Sequence, residues 1–130
     1  GLSRDGCRVP LPWATSGSSF GFGTGGSHLP MPQWYGKYSV AAEDGHKDSV
    51  LEFYRHIVAL RKQLQTKEEV KWISHVLFSK VIHFARPNGW QSITNFGSKP
   101  VKLPAGKLLS SSTPLVDGKL PANATAWLQA

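Results

Sequence analysis

The sequence predicts a mainly β chain: an antiparallel β-sandwich preceded by a long loop and one α-helix. Three observations carry this. From about residue 68 to the end, short alternating apolar runs are broken by Pro, Gly, Asn and Asp at about ten-residue spacing, as in antiparallel sandwiches. A helical apolar period is confined to residues 48–64. Before it, glycines and prolines recur too often for long regular structure, and aromatics too often for a linker.

The first zone, residues 1–46, holds RVPLPW, SGSSFGFGTGGS and HLPMPQW. Trp13, Phe20, Phe22, Trp34, Tyr35 and Tyr38 make it apolar enough to lie against something. Ordered loops of this length usually line a site. No core of its own is evident in it, and on its own it is expected to be partly disordered or packed on a neighbour.

The second zone is DSVLEFYRHIVALRKQL, 48–64. Ser49 followed by Glu52 is a capping box. Val50, Phe53, Tyr54, Ile57, Val58 and Leu64 share one side of the helical wheel, joined at the edges by Leu51 and Leu60. This arc is wider than a coiled-coil seam and predicts more than one packing neighbour. Arg61 falls inside it and needs a partner that the chain does not visibly supply.

The third zone reads as strands. KVIHFARPNGWQSITNF is two alternating runs around Pro87-Asn88-Gly89, where Asn-Gly favours a hairpin with both residues at positive φ. Further turns are expected at 104–106 and at Asp117-Gly118, and TAWLQA forms the closing strand. There is no internal repeat.

The 130 residues, 40% of them apolar, suit one domain or a small domain with an appendage. No apolar run approaches the ~18 residues of a membrane span. The net charge is +7, but from Lys67 to Lys119 the cations are placed one at a time with no basic run, which describes a solvated surface better than a nucleic-acid site. A single cysteine, Cys7, cannot form an intrachain disulfide, so a reducing, cytoplasmic setting is expected. Asn123-Ala-Thr125 is then a chance match to a glycosylation sequon. With glycine first and no signal segment, the chain reads as a piece of something longer.

Chemically, little stands out. The five histidines are not spaced as metal ligands, and neither a metal nor a cofactor is expected. GFGTGG lacks the strand and the Lys-Ser/Thr helix of a phosphate loop. Asp5 and Arg8 are the notable polar pair. Arg8 precedes Val9-Pro10-Leu11-Pro12-Trp13, a stiff segment suited to presenting a guanidinium to carboxylates or polyhydroxylated ligands.

SRDGCRVPLPW, the Gly/Phe stretch, LPMPQW and SVAAEDGHKDSVLEFYRHIVALRK together resemble the α-glucosidases and oligo-1,6-glucosidases of the α-amylase family of glycoside hydrolases. The family's R-T-P-M-Q-W stretch is matched by R-V-P-L-P-W, similar to the actinobacterial form. VIHFAR, TNFGSKPVKLPAGKLLSSS and LPANATAWL are similar to its C-terminal β domain. The resemblance implies that residues 1–65 are the end of a (β/α)₈ barrel, with active-site loop 1–46 and last barrel helix 48–64. Residues 66–130 are then the C-terminal antiparallel β domain. It implies that Arg8 holds a hydroxyl of the terminal glucose of an α-glucoside oligosaccharide, paired with an aspartate from the barrel. Arg4, Asp5 and Trp13 shape the loop, and Cys7 packs. The implied reaction is retaining hydrolysis by a pair of carboxylates. Those carboxylates precede this chain, which has no catalytic residue of its own and is expected to be inactive without its barrel partner.

Two other readings stand beside this. An autonomous carbohydrate-binding β module would use Trp72, Trp90 and Trp127 as a sugar platform and requires exposed, coplanar indoles. A basic nucleic-acid-binding barrel requires salt-sensitive binding to single strands.

Overall fold

The computed structural model describes residues 4, 8–74 and 80–130. They form two compact units, Gly1–Ala59 and Leu60–Ala130.

Among the described residues of the first unit, the helical elements are a 3-10 turn, Gln33–Tyr38, followed by α1, Val40–Glu43, and the start of α2, Val50–Gln63. The loop before them nonetheless has a core, contrary to expectation. Phe20 is buried together with Ser19, Gly36 and Ser39. The amides of Trp13 and Ala14 both donate to the Phe20 carbonyl, at 2.7 and 2.8 Å. This closes a small loop that folds the Phe20 ring inward near Tyr35. Gly36 is required by close approach: a Cβ there would collide with the Thr15 carbonyl oxygen. This core was hidden because it is built from one aromatic and small residues with no period to detect.

Ser39 caps α1. Its hydroxyl accepts from the Ala42 amide at 3.2 Å and donates to the Gly36 carbonyl at 2.8 Å. Two more amides at this helix start find main-chain partners, Val40 to the Pro12 carbonyl and Ala41 to the Trp13 carbonyl, both at 3.0 Å.

Helix α2 falls within the predicted span, with a modified cap. Ser49 accepts from the Glu52 amide as a capping box requires, but Glu52 turns to the Gly45 amide and to Arg55. Glu43 completes the cap by accepting from the Leu51 amide at 2.9 Å. No residue of α2 is buried. The stripe Val50, Tyr54 and Val58 is exposed despite the helix's apolar arc.

The second unit is mainly antiparallel β. Strands β1 (Lys71–Ser74), β2 (Val81–Ala85), β3 (Trp90–Asn95), β5 (Lys107–Ser111) and β7 (Ala124–Gln129) form one sheet in the order β1-β2-β3-β7-β5. Strands β4 (Val101–Lys102) and β6 (Lys119–Leu120) form a small second sheet. Ile93, Ala124, Ala126 and Leu128 from the large sheet meet Leu120 from the small one, with Val81, Val101, Leu103 and Leu115 around them. The alternation of β7 explains this: Ala124, Ala126 and Leu128 are buried while Thr125, Trp127 and Gln129 face the other way.

Asn95, at the end of β3, ties the two sheets. Its side-chain amide is fully buried and donates toward the carbonyls of Lys99, Leu120 and Pro121, while its oxygen accepts from the Gly97 amide.

The turns differ from the sequence reading in one respect. At Asn88-Gly89 only Gly89 takes positive φ. The Gly89 amide donates to the Arg86 carbonyl and the Arg86 amide to that of Trp90. This is a three-residue hairpin loop ending in a glycine bulge. In this unit it is Asp117-Gly118 that carries two positive-φ residues in a turn, and Val116 and Lys119 exchange both main-chain bonds around it.

Candidate functional site

The segment carrying Arg8 is stiff and tethered. Pro10 and Pro12 restrict its backbone. Beyond them, the Pro12 and Trp13 carbonyls serve as caps for α1, and the Trp13 amide is held by Phe20. Arg8 itself is exposed and has no hydrogen-bond or ion-pair partner among the described residues. Arg4 is exposed as well. Asp5 and Cys7, with the Asp5–Arg8 pairing, lie outside the described residues. Trp13 shows half its surface, and Leu11, Phe22, Trp34 and Tyr38 are exposed in the same unit. Trp34 is braced edge-on by Tyr35 and Tyr38, with ring centres 4.4 and 6.0 Å away. The loop therefore offers an unpaired guanidinium and a set of uncovered aromatic rings.

Charge pairing lies elsewhere. Arg55 contacts Asp44 and Glu52, and these two side-chain hydrogen bonds, Asp44 first, hold its guanidinium above the usual arginine range. This cluster is exposed and fixes the start of α2 rather than a reactive group. His83 is buried but bonded to Gln91 at 2.7 Å. Among the described residues no group of His, Cys, Asp and Glu side chains is placed to hold a metal ion.

The second unit carries a cleft of about 350 Å³ on the sheet face opposite the core. The chain between α2 and β1 forms one wall and the rings of Trp72, Phe84 and Trp90 the other. Arg86 donates to the Lys67 carbonyl at 2.9 Å and Asn88 to the Leu64 carbonyl at 3.0 Å, so the hairpin at 86–89 holds the linker in place. Arg61 reaches this cleft and, like Glu68, has no polar partner among the described residues.

The three tryptophans do not form the flat platform that a sugar-stacking module of the expected kind requires. Trp90 and Trp127 meet at 82°, and Phe84 stands between Trp72 and Trp90, edge-on to both. Of the three, only Trp72 is largely exposed. The Trp90 indole N–H is buried with no acceptor among the described residues.

Sequence reasoning singled out the Arg8 segment and did not anticipate the cleft. Its signal was present: Trp72, Phe84 and Trp90 sit on alternating positions of three neighbouring strands. It becomes visible only once the registers Trp72↔Phe84 and Phe84↔Ser92 are known.

Comparison with known proteins adds to this geometry. The model of the α-amylase catalytic domain matches residues 1–69. The probable oligo-1,6-glucosidase 2 of Bacillus subtilis (strain 168) is 38% identical over 61 residues, covering 47% of this chain and 11% of that protein. Among solved structures, a mutant isomaltulose synthase from Erwinia rhapontici NX5 in complex with D-glucose superposes with a TM-score of 0.74 at 19% identity, over 98% of this chain and 26% of its own. Trehalose-6-phosphate hydrolase from Bacillus licheniformis gives 0.69 at 22% identity, over 98% of this chain and 27% of its own. The chain thus has the fold of about one quarter of these enzymes.

Proposed function

With residues 1–69 matching the catalytic-domain model, this chain belongs to the α-amylase family, and we propose that it is the C-terminal part of an α-glucosidase of the oligo-1,6-glucosidase kind. In this reading residues 1–65 end a (β/α)₈ barrel and residues 66–130 are the C-terminal β domain. In the same reading the R-V-P-L-P-W loop is of the actinobacterial kind, and the proposed working compartment is the cytoplasm.

The observation that carries the proposal is the uncovered surface of the first unit. Helix α2 buries none of its residues, and the loop shows Leu11, Trp13, Phe22 and Trp34 to solvent. A monomer rarely leaves so much apolar surface uncovered without a partner. In the proposed reading that partner is the preceding part of the same enzyme.

The reaction would be retaining hydrolysis of terminal α-glucosidic bonds in short oligosaccharides. A nucleophilic carboxylate and an acid/base about 5 Å away would both come from the preceding barrel. Arg8 would bind a hydroxyl of the terminal glucose. A guanidinium without a partner in its own chain is suited to this, because each charge-assisted hydrogen bond it makes is gained from the ligand or from the barrel. Arg4, Asp5 and Trp13 would set the loop's shape.

The test uses the parent enzyme with its barrel. Arg8→Ala should lower kcat/KM on isomaltose about 10- to 100-fold, the equivalent of losing ~1.5–3 kcal/mol from a charged hydrogen bond. The 130-residue chain alone should not hydrolyse an aryl α-glucoside. Unchanged kcat/KM in the variant, or turnover by the chain alone, would refute the assignment.

A further inference from the structure

The cleft on the outer face of the sheet has no use in the glucosidase reading, and its walls are unusually well prepared. We infer that it binds one hexopyranose ring of a neutral oligosaccharide. Trp72 is the stacking surface. It is 54% exposed, and Phe84 braces it edge-on with ring centres 5.8 Å apart. The β1–β2 register slips between Trp72 and Ser74, the kind of bulge that re-aims a side chain next to a site.

The polar groups narrow the ligand's chemistry. Arg61 offers donors and Glu68 offers acceptors, and neither is engaged by the described residues. Arg86 spends one nitrogen on the Lys67 carbonyl and keeps the rest of its fork. A hydroxyl donates and accepts, so a polyol can satisfy both signs of charge. A phosphate or carboxylate would suit the arginines but face Glu68. An apolar ligand would cut the charged groups off from water without replacing its hydrogen bonds. A pyranose adds the apolar C–H face that an indole stacks against.

The site is also fixed before binding. The bonds from Arg86 to Lys67 and from Asn88 to Leu64 hold the linker wall against the hairpin, so little ordering opposes ligand entry. A volume of about 350 Å³ lies at the small end of ligand pockets.

The experiment is a titration of the 130-residue chain, followed through backbone amide and indole N–H signals in two-dimensional NMR. Isomaltose and cellobiose are run separately, with sodium phosphate as the anionic control. The α-linked probe rests on the glucosidase reading; the β-linked one does not. Saturable shifts of the Trp72 indole by either disaccharide, with a dissociation constant on the order of millimolar, are expected. Trp72→Ala should weaken binding about tenfold or more, and Arg61→Gln several-fold, with amide dispersion unchanged. A cellobiose response without an isomaltose response upholds the cleft as a sugar site and counts against the glucosidase reading alone. The inference is overturned if neither sugar shifts the indole up to tens of millimolar, if Trp72→Ala binds as well as the parent chain, or if phosphate alone gives the response. Protection of the Trp72 indole in the barrel-containing enzyme, with no sugar response there, overturns it equally, since polypeptide would then fill the cleft.

Discussion

Replacing Asn95 should show how much of the β domain rests on one polar side chain. Its amide nitrogen lies 2.9 Å from the Lys99 carbonyl, 3.2 Å from that of Leu120 and 3.0 Å from that of Pro121. Its oxygen is 2.8 Å from the Gly97 amide. Two N–H bonds serve three acceptors, so two donated bonds and one accepted bond are the realistic count. The Leu120 contact is fully buried, and losing it leaves a carbonyl unpaired at ~1–3 kcal/mol; the partly buried ones are worth about 1 kcal/mol each. Asn95→Ala should therefore cost roughly 3–5 kcal/mol, a large part of the stability of a domain this size. Asn95→Asp is the sharper probe. It keeps the shape and the Gly97 bond but turns an acceptor toward carbonyl oxygens. Burial and those oxygens raise the carboxyl's folded pKa above its unfolded ~3.9. A raised acid pKa means the folded state holds the proton more tightly. The Asp variant should thus be least impaired below pH ~3.9 and lose stability relative to wild type as pH rises toward the folded pKa, levelling off above it. Urea unfolding of wild type and both variants between pH 3.5 and 7.5 measures this. An Ala variant within 1 kcal/mol of wild type, or an Asp variant whose deficit shrinks as pH rises, would refute the reasoning.

Two further outcomes are expected in the chain alone. Gly36→Ala should loosen the loop core, because its Cβ would collide with the Thr15 carbonyl; amide exchange at Trp13 and Ala14 should quicken at least tenfold while that of β3 and β7 holds. Asn88→Ala should remove the cap on the Leu64 carbonyl and cost about 1 kcal/mol, seen as a lower urea midpoint with the slope unchanged.

Much of this architecture was legible because it depends on period. The alternation of VIHFA, WQSITN and ATAWLQ identifies their strands and both faces, and the helical period marks α2 to within a residue or two. What stayed hidden depends on single contacts between segments distant in sequence. Phe20 seats itself beside Gly36 through a positive φ of 48° that no pattern announces. Glu43, not Glu52, completes the cap of α2 because a preceding turn brings it back over the helix start. Asn88 spends its side chain on a helix end 24 residues earlier, and it stays out of the positive-φ region that Asn-Gly sequences favour. The Arg8 segment stands out in the sequence through its chemistry; the cleft does not, because its walls come from strands whose registers have to be known first.

The loop core bears on how Arg8 would work. A guanidinium that must meet a sugar hydroxyl is effective only if the backbone behind it is already in place. Here the groups that hold that backbone also cap a helix. The Pro12 and Trp13 carbonyls accept the first amides of α1, and the Trp13 amide donates to Phe20. Moving the strap would uncap the helix, and unfolding the helix start would release the strap. The glycine at 36 makes this possible by letting the chain of the 3-10 turn close on Thr15, where any side chain would push the two apart. Position and stability are thus coupled in one small nucleus. The coupling predicts that damage to that nucleus would act on the proposed Arg8–sugar contact through geometry, without touching the arginine.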